Sequence, residues 1–243
     1  MPLNILSIAQ LFCRRQGLPQ PTFLVSNANA QASQILGLLE EFCDDLVSRG
    51  LWEQTTREAV FTSVAAESQG LIAALAPYGF RGIVPNTFFD RTQRLEVPVA
   101  ISSQEWQVRK ALNISGPLYQ ARIRQGELLF IPAPPAGHQM AFEYRSDYFV
   151  SSTDLVNAVE YVKYPTKDSD FFLVDDSLPI AYLRWAWKSQ KGQDYTEEFR
   201  KYEILVAQEQ SSKRAARPVN LGHNQVDARP GILVPPGSWP VSN

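Results

Sequence analysis

The fold is decided by residues 118–150, LYQARIRQGELLFIPAPPAGHQMAFEYRSDYFV. Apolar and polar residues alternate there in three runs, which are separated by Gln125-Gly126 and then by a loop rich in proline. Alternation with period two buries one side of each run, and a short break that contains glycine is typical of a hairpin turn. The stretch therefore predicts an antiparallel meander of three strands with one buried face.

Helical patterns precede this region. Residues 4–16 and 27–49 carry apolar residues three and four positions apart, and Gly17 and Gly50 follow the two patterns. This spacing places the apolar residues on one side of a helix, and glycine is a common residue just after a helix end. Both segments are predicted to be amphipathic helices that pack against other helices.

The residues between the helices and the meander are predicted to be extended, apart from one helix. Residues 57–64 and 94–99 have the composition of strands. Ser102 and Glu105 have the spacing of a capping box, which predicts a helix that begins there and ends before residues 113–117.

Helical patterns return after residue 150. Residues 153–162 are a candidate short helix, and Asp175-Asp176-Ser177 offers capping oxygens for a helix that reaches Gly192. A further helix is expected over residues 195–216, with Tyr202 on its inner stripe. Adjacent acids at such a position could also coordinate a hard cation, although capping is their more common role.

These patterns together predict an α+β protein: an amphipathic helix bundle made from the N- and C-terminal segments, a β-rich antiparallel insertion and an extended C-terminal arm. The corresponding boundaries are 1–50 and 151–217 for the bundle, 51–150 for the insertion and 218–243 for the arm. The arm is rich in proline and has isolated apolar residues, so it cannot form a packed unit alone and is either a disordered tail or a segment that docks on a partner.

Composition narrows the class of protein. A formal net charge of −2 argues against a surface that grips nucleic acid everywhere, and the apolar runs are too short to predict membrane insertion. The N-terminus lacks the pattern of a secretory signal. Cys13 and Cys43 fall on apolar helical faces, which favours small buried side chains over a disulfide or a metal pair, and fits a reducing compartment.

Residues that could carry chemistry are few. His138 and His223 lie in a loop and in the arm, without other metal ligands at suitable spacing. No phosphate loop, dinucleotide fingerprint, nucleophile elbow or zinc-protease motif is present in the sequence. Glu67, Glu127 and Glu143 could form an acid–base pair across space, but no local pattern marks them. We therefore expect no cofactor and no enzymatic activity.

Rings and cations on the C-terminal helices indicate surfaces. Tyr182, Trp185 and Trp187 cannot share one helical face, so at least one ring is expected to meet solvent or another subunit. Basic residues recur along the same helices, either as solvated helix ends or as a DNA-facing stripe. They are Lys188, Lys191, Arg200, Lys201, Lys213 and Arg214.

The chain resembles a known family in residues 126–150, GELLFIPAPPAGHQMAFEYRSDYFV, and in the order of its parts, with Leu183-Arg184-Trp185 and Tyr202 on the later helices. In these features the chain resembles the head-to-tail adaptor proteins of short-tailed bacteriophages, which are also called tail tubular or head-completion proteins. The residues that match the family wording are Gly126, Leu129 or Leu128, Phe130 or Ile131, Pro132, Ala133, Pro134, Ala136, Gly137, Phe142, Glu143 and Tyr144.

The resemblance implies a structural protein of the virion neck, assembled in the cytoplasm of the bacterial host. Such proteins form a ring, typically a dodecamer, under the portal protein and around the channel for double-stranded DNA. They also attach tail nozzle or tail fibre proteins. The helices would form the ring wall, with the six basic residues above as candidates for the channel lining.

Two further sets of contact residues follow from the resemblance. The β-rich insertion would face the tail side or the outside, with the candidate residues Phe130, Pro132, His138, Phe142 and Tyr144. The arm would dock on the portal through Leu221, Ile232, Leu233, Val234 and Trp239.

A second hypothesis from a different class stays open. The β-rich region could be a tail-associated module that binds carbohydrate or degrades cell wall. Its candidate residues would be Trp106, Tyr119, His138 and Tyr148.

Overall fold

The computed structural model of this protein describes residues 2–50, 52–99, 102–112, 118–152 and 160–212. The helices in these residues are α1 (Ile5–Gln16), α2 (Ala30–Ser48), α3 (Ile72–Leu75), α4 (Ser103–Leu112), α5 (Ser177–Gln190) and α6 (Thr196–Ser212). The strands are β1 (Thr56–Thr62), β2 (Ser68–Leu71), β3 (Gly82–Ile83), β4 (Phe89–Asp90), β5 (Leu95–Glu96), β6 (Gln120–Arg124), β7 (Glu127–Ile131), β8 (Gln139–Arg145), β9 (Val150–Ser151), β10 (Tyr161–Val162) and β11 (Phe171–Phe172). The predicted arm of residues 218–243 lies outside the described residues.

The predicted α+β fold is confirmed. Helices α1 and α2 from the N-terminal part of the chain pack with α5 and α6 from the C-terminal part, and antiparallel sheets lie between them in sequence. Helix α5 contacts each of the other three long helices. Aromatic rings join them: Phe12 lies 5.7 Å from Trp187, and Phe42 lies 5.3 Å from Tyr182.

Local sequence signals explain the helix ends. The side chain of Asn4 accepts a hydrogen bond from the Ser7 amide at 2.8 Å, and α1 ends at Gly17 with a left-handed φ of 68°. Ser102 caps α4 as its spacing predicts, because its Oγ accepts from the amide of Glu105 at 3.1 Å. At the start of α5, Asp175 accepts from the Ser177 amide at 2.9 Å, whereas the Asp176 side chain makes no cap and accepts from the Leu3 amide at 2.8 Å.

The three-stranded meander predicted for residues 118–150 is wrong in its last strand. β6 and β7 pair as a hairpin through Gln125 and Gly126, both at positive φ. β8, however, belongs to another sheet, where β1 pairs with one of its edges and β3 and β4 pair with the other. Since both edges of β8 are filled, β7 pairs with β2 instead.

The two sheets enclose the core of the β-rich region. One has the strand order β1-β8-β4-β5, with β3 also on β8, and the other has the order β2-β7-β6. A parallel bridge between Val99 and Ala121 connects them. Phe88, Phe130 and Phe142 meet between the sheets, with Phe88 5.7 Å from Phe130 and 5.1 Å from Phe142.

Three short strands within residues 150–152 and 160–172 form a third sheet, and one of them overlaps the helix expected over residues 153–162. Residues 153–159 lie outside the described part, and Tyr161–Val162 is strand β10, so the helix prediction is wrong there. β9 pairs with β10 on one side and with β11 on the other. Val150 and Phe172 are buried in the core of the bundle, which therefore includes this sheet.

Polar contacts attach the β-rich region to the C-terminal end of α2 and to β10. The Arg81 guanidinium donates to the carbonyls of Val47 and Gly50, the latter at 3.0 Å. The Arg57 guanidinium lies 3.2 Å from the centre of the Tyr161 ring. A charged group over an aromatic face is stabilising, so these contacts fix the region against the bundle.

The two cysteines match the expectation of small buried side chains. Cys13 and Cys43 are buried as free thiols, and burial raises the pKa of both. Among the described helices, none combines the length and the hydropathy that a membrane crossing requires.

Candidate functional site

A groove of about 350 Å³ lies on the bundle, between the end of α1 and helices α5 and α6. Its basic residues are Arg15 on α1, Arg184 on α5 and Lys201 on α6. Its apolar residues include Ile180, Ile204 and Leu205. We call this surface the basic groove.

Small side chains keep the basic groove open. Ser177 and Ala181 lie one turn apart on α5 and also line it. Ile204 is 47% exposed on the α6 side, although the other apolar residues named above are at least half buried. Exposed aliphatic surface beside cations suits a partner that offers both apolar contact and negative charge.

The positive charge of the basic groove is only partly compensated. Arg15 is exposed and forms no ion pair with the described residues. Lys201 pairs loosely with Glu197 at 3.4 Å, and the Nε of Arg184 is buried without a hydrogen-bond partner in the described structure. The pKa of Glu198 lies below its usual value, chiefly because Lys188 donates to it, and Arg184 contributes. No acidic side chain is among the groove's lining residues.

The candidate channel residues do not form one stripe. Lys188 donates to Glu198 at 2.5 Å, and Lys191 lies 4.6 Å from the centre of the Trp187 ring and 3.1 Å from the Gln34 amide oxygen. Arg200 is exposed on α6, and Lys201 lines the basic groove. Lys213 and Arg214 lie outside the described residues.

The rings of α5 divide between core and surface, as the sequence predicts. Tyr182 and Trp187 are buried, whereas Trp185 is half-buried and its ring lies 5.2 Å from Phe199 and 6.1 Å from Tyr195. Phe199 and Tyr195 are exposed. The exposed rings therefore extend the surface of the bundle beside the α5–α6 turn.

A buried polar cluster lies in the β-rich region around Asp90. Its carboxylate accepts from the Tyr119 hydroxyl and from the amides of Thr92 and Gln93, and it lies 2.7 Å from the Nδ1 of His138. Burial would raise the pKa of Asp90, but the hydrogen bonds hold this pKa below its usual value. Burial and the carboxylate raise the pKa of Tyr119.

This cluster orders the loops that connect the strands. Asp90 ends β4 and its side chain satisfies the two amides of the following turn. The amide of His138 donates to the Ser63 hydroxyl at 3.0 Å, and Ser63 donates to the carbonyl of Pro135 at 2.5 Å. The Asp90 carboxylate contacts Tyr119, His138 and two amides of the turn, so its acceptor positions are occupied. The geometry therefore supports a structural role.

Most of the candidate tail-side residues are core residues. Phe130, Phe142 and Tyr144 are each at most 1% exposed and pack in the β core, so their side chains cannot contact a partner. The reason is that β7 and β8 turn these rings toward the space between the two sheets. Pro132 and His138 are half-buried near the surface and could make contacts.

The candidate residues of a carbohydrate module do not form one exposed site. Trp106 is fully buried against Leu129 and Ile131, and Tyr119 is 4% exposed. Tyr119 and His138 meet at Asp90, whereas Tyr148 packs over Gly79. Sugar-binding rings need an exposed face, which neither Trp106 nor Tyr119 offers.

Arg15 and Asp90 were not singled out from the sequence, and Arg184 was named only in the Leu183-Arg184-Trp185 part of the resemblance and not as a site residue. Arg15 lies at the end of α1, where a cation near the helix C-terminus is unremarkable, and α5 and α6 are distant from it in sequence. Asp90 precedes Thr92 and Gln93 at a turn, and an Asp at the start of a turn is the one local signal that it offered. Within the described ranges, no group of three His, Cys, Asp or Glu residues could hold a metal ion.

Neither models of known protein families nor curated proteins gave a match to this chain.

Proposed function

We propose that this protein is a head-to-tail adaptor of a short-tailed bacteriophage. In this role the chain forms a ring under the portal protein, extends the DNA channel and offers an attachment surface for tail nozzle or tail fibre proteins. It would be assembled in the bacterial cytoplasm and remain in the neck of the virion. The ring would act by position and shape, without chemistry of its own.

The layout of the chain is the observation that carries the proposal. The bundle joins helices from both ends of the described chain, and the β-rich region between them has a core of its own. This is the arrangement that the resemblance in residues 126–150 implies. An insertion with its own core can extend from a ring wall without disturbing the helices that form the wall.

Charge on the bundle is compatible with a channel wall. Lys188 of α5 lies 2.5 Å from Glu198 of α6, so a cation and an anion lie side by side on the bundle. A wall with many unpaired cations would bind phosphates and retain the DNA, because phosphate contacts dominate the affinity of proteins for DNA. Mixed charge instead permits the genome to pass.

The proposed function is tested by docking on portal rings from the virus that encodes this chain. The full chain should co-sediment with the rings. Serine at Leu221, Ile232, Leu233, Val234 and Trp239 should abolish co-sedimentation, because the arm would lose its apolar anchors. Serine at five polar positions of the same segment, Asn220, His223, Asn224, Gln225 and Asn243, is the matched control and should preserve it.

Two outcomes would count against the proposal. If the variant without the apolar anchors docks as well as the unchanged chain, the arm is not the portal contact. If the unchanged chain fails to dock but binds or cleaves cell-wall glycan, the module hypothesis replaces the adaptor.

A further inference from the structure

We propose that the basic groove is a contact between subunits, and that it receives the exposed face of α2 from a second copy of this chain. The inference rests on the proposed ring function and names the surfaces through which the ring would close. We call the second surface the acidic α2 face and define it by Gly37, Glu40 and Glu41.

Charge favours this pairing. Glu41 is exposed and Glu40 is half-buried, and neither forms an ion pair with the described residues. Arg15 and Arg184 in the basic groove also lack ion-pair partners in the described part of the chain. Two surfaces of opposite sign that are only partly compensated in one copy can neutralise each other between copies.

The two surfaces lie on opposite sides of the bundle. Along α5, Tyr182 packs on Phe42 of α2 and Gln190 bonds to Gln34 of α2, whereas Ala181 and Arg184 face the groove. With about 100° of rotation per residue, these two sets point nearly opposite ways. The acidic α2 face lies on the far side of α2 from α5, because the buried residues of α2 face the core.

Opposite surfaces determine the kind of assembly. One copy cannot place its own acidic α2 face in its own basic groove, because the two surfaces lie on opposite sides of the bundle. Contacts between different surfaces on successive copies are heterologous, and such contacts form a ring when the rotation between copies closes. This is the symmetry that an adaptor ring requires.

Gly37 provides an independent reason for a contact at α2. It lies inside a long helix, where glycine is less stable than alanine by about 1 kcal/mol. A Cβ at Gly37 would meet nothing within 4 Å, so packing inside the described chain does not require glycine there. A missing side chain on an otherwise open face permits the close approach of an external surface.

Other occupants fit the basic groove less well. The chain's own segment from residue 213 onward carries Lys213, Arg214, Arg217 and Arg229 against Asp227, so it has the same sign as the groove. DNA has the right charge, but the exposed aliphatic side chain of Ile204 has no counterpart on a phosphate backbone.

Reversing the charges in two complementary variants tests the contact. One variant is Glu40→Lys with Glu41→Lys, and the other is Arg15→Glu with Lys201→Glu. Self-association of the full chain is measured by sedimentation velocity over a concentration series. Each variant alone should associate at least about a hundredfold more weakly, because each presents like charges at the contact. Mixed in equal amounts they should assemble again, since each supplies the sign that the other lost.

Two further variants separate assembly from folding. Gly37→Ala should raise the thermal midpoint, because alanine favours the helix, and should still weaken self-association about tenfold or more. Glu53→Lys makes one such charge reversal at an exposed residue in the turn Glu53–Thr55. It should leave association within about threefold of the unchanged chain.

The outcomes distinguish this inference from the proposed function. If the unchanged chain stays monomeric, or if the reversed variants associate as it does, the inference is wrong. The inference would also be overturned if the groove bound a DNA oligonucleotide instead of a second copy, and if Arg15→Glu with Lys201→Glu abolished that DNA binding. Rings that form through these surfaces but do not dock on the portal would leave the inference standing and refute the adaptor role.

Discussion

The bundle and the β-rich region bury their aromatic rings in different ways. Phe42 of α2 packs on Tyr182 of α5 and Tyr202 of α6, so the core of the bundle depends on the N- and C-terminal parts of the chain meeting. Phe142 of β8 packs on Phe61 and Phe88, which lie within the same continuous stretch of chain. The insertion can therefore close on itself, whereas the bundle cannot form without both flanking segments.

The polar groups of the two regions differ as well. In the bundle, Arg49 donates to Glu203 at 2.7 and 3.0 Å and to Asp45 at 2.6 Å, at a partly exposed position. In the β-rich region, Asp90 is fully buried and fully hydrogen-bonded. The Arg49 cluster therefore lies at the surface, where partners can reach it.

The largest expected effect comes from truncating one ring in each core. Phe42→Ala and Phe142→Ala should each lower the unfolding free energy by about 3–5 kcal/mol, because removal of a buried phenylalanine ring leaves a cavity. Hydrogen exchange should show where the loss falls. Phe142→Ala should expose the amides of β8 and leave those of α2 and α5 protected, and Phe42→Ala should expose α2 and α5.

If the protein unfolded as a single cooperative core, the bundle and the β-rich region would not have separate cores. In that case both variants would reduce protection equally in the bundle and in the β-rich region. Val60→Ala, at a 45% exposed position of β1, is the control and should change the unfolding free energy by less than about 0.5 kcal/mol.

A smaller effect is expected at the buried carboxylate. Asp90→Asn keeps the shape but weakens the hydrogen bonds to Tyr119 and His138, at a cost of about 1–3 kcal/mol near neutral pH. The folded pKa of Asp90 lies below its usual value, so the unfolded chain binds the proton more readily. The contribution is therefore present above about pH 4 and is lost as the pH falls through the folded pKa.

Urea titrations over a pH series check this expectation. The difference in unfolding free energy between the unchanged chain and Asp90→Asn should narrow on the acid side. A difference that stays constant down to the acid limb would show that the carboxylate charge contributes nothing.

The smallest effect compares one ion pair in each region. Arg49→Lys loses the two-pronged contact with Glu203 and should cost about 1 kcal/mol, since the side chain of Arg49 is 20% exposed. Arg91→Lys, in an exposed pair with Glu58, should change stability by less than about 0.5 kcal/mol. Thermal unfolding at low and high salt measures the stability of both variants. Equal losses of stability would show that the two ion pairs do not differ in their contribution.

The sequence predicts the local parts of this fold better than its pairings. Asn4, Gly17 and Ser102 mark helix ends because capping depends on neighbouring residues. β8 was assigned to the wrong sheet because its partner, β1, lies far upstream, and alternation shows which side of a strand is buried but not which strand pairs with it. β10 and β11 have two residues each, too few for a periodic pattern.

The candidate site was less predictable for a related reason. Lys201 was named from the charge pattern of its helix, but Arg15 and Arg184 join it only when α1 packs beside α5 and α6. Phe130, Phe142 and Tyr144 were expected at a contact surface, but their rings are buried. The expectation was wrong because the resemblance carried no information on which side of each strand faces the core.

The most direct test of the adaptor proposal is the native mass of the complex between the full chain and purified portal rings. The proposal predicts a complex that gains one copy of this chain for each portal subunit, twelve for a dodecameric ring, with the bundle in the wall seen by electron microscopy. Portal rings that gain no mass in the presence of excess chain would contradict it.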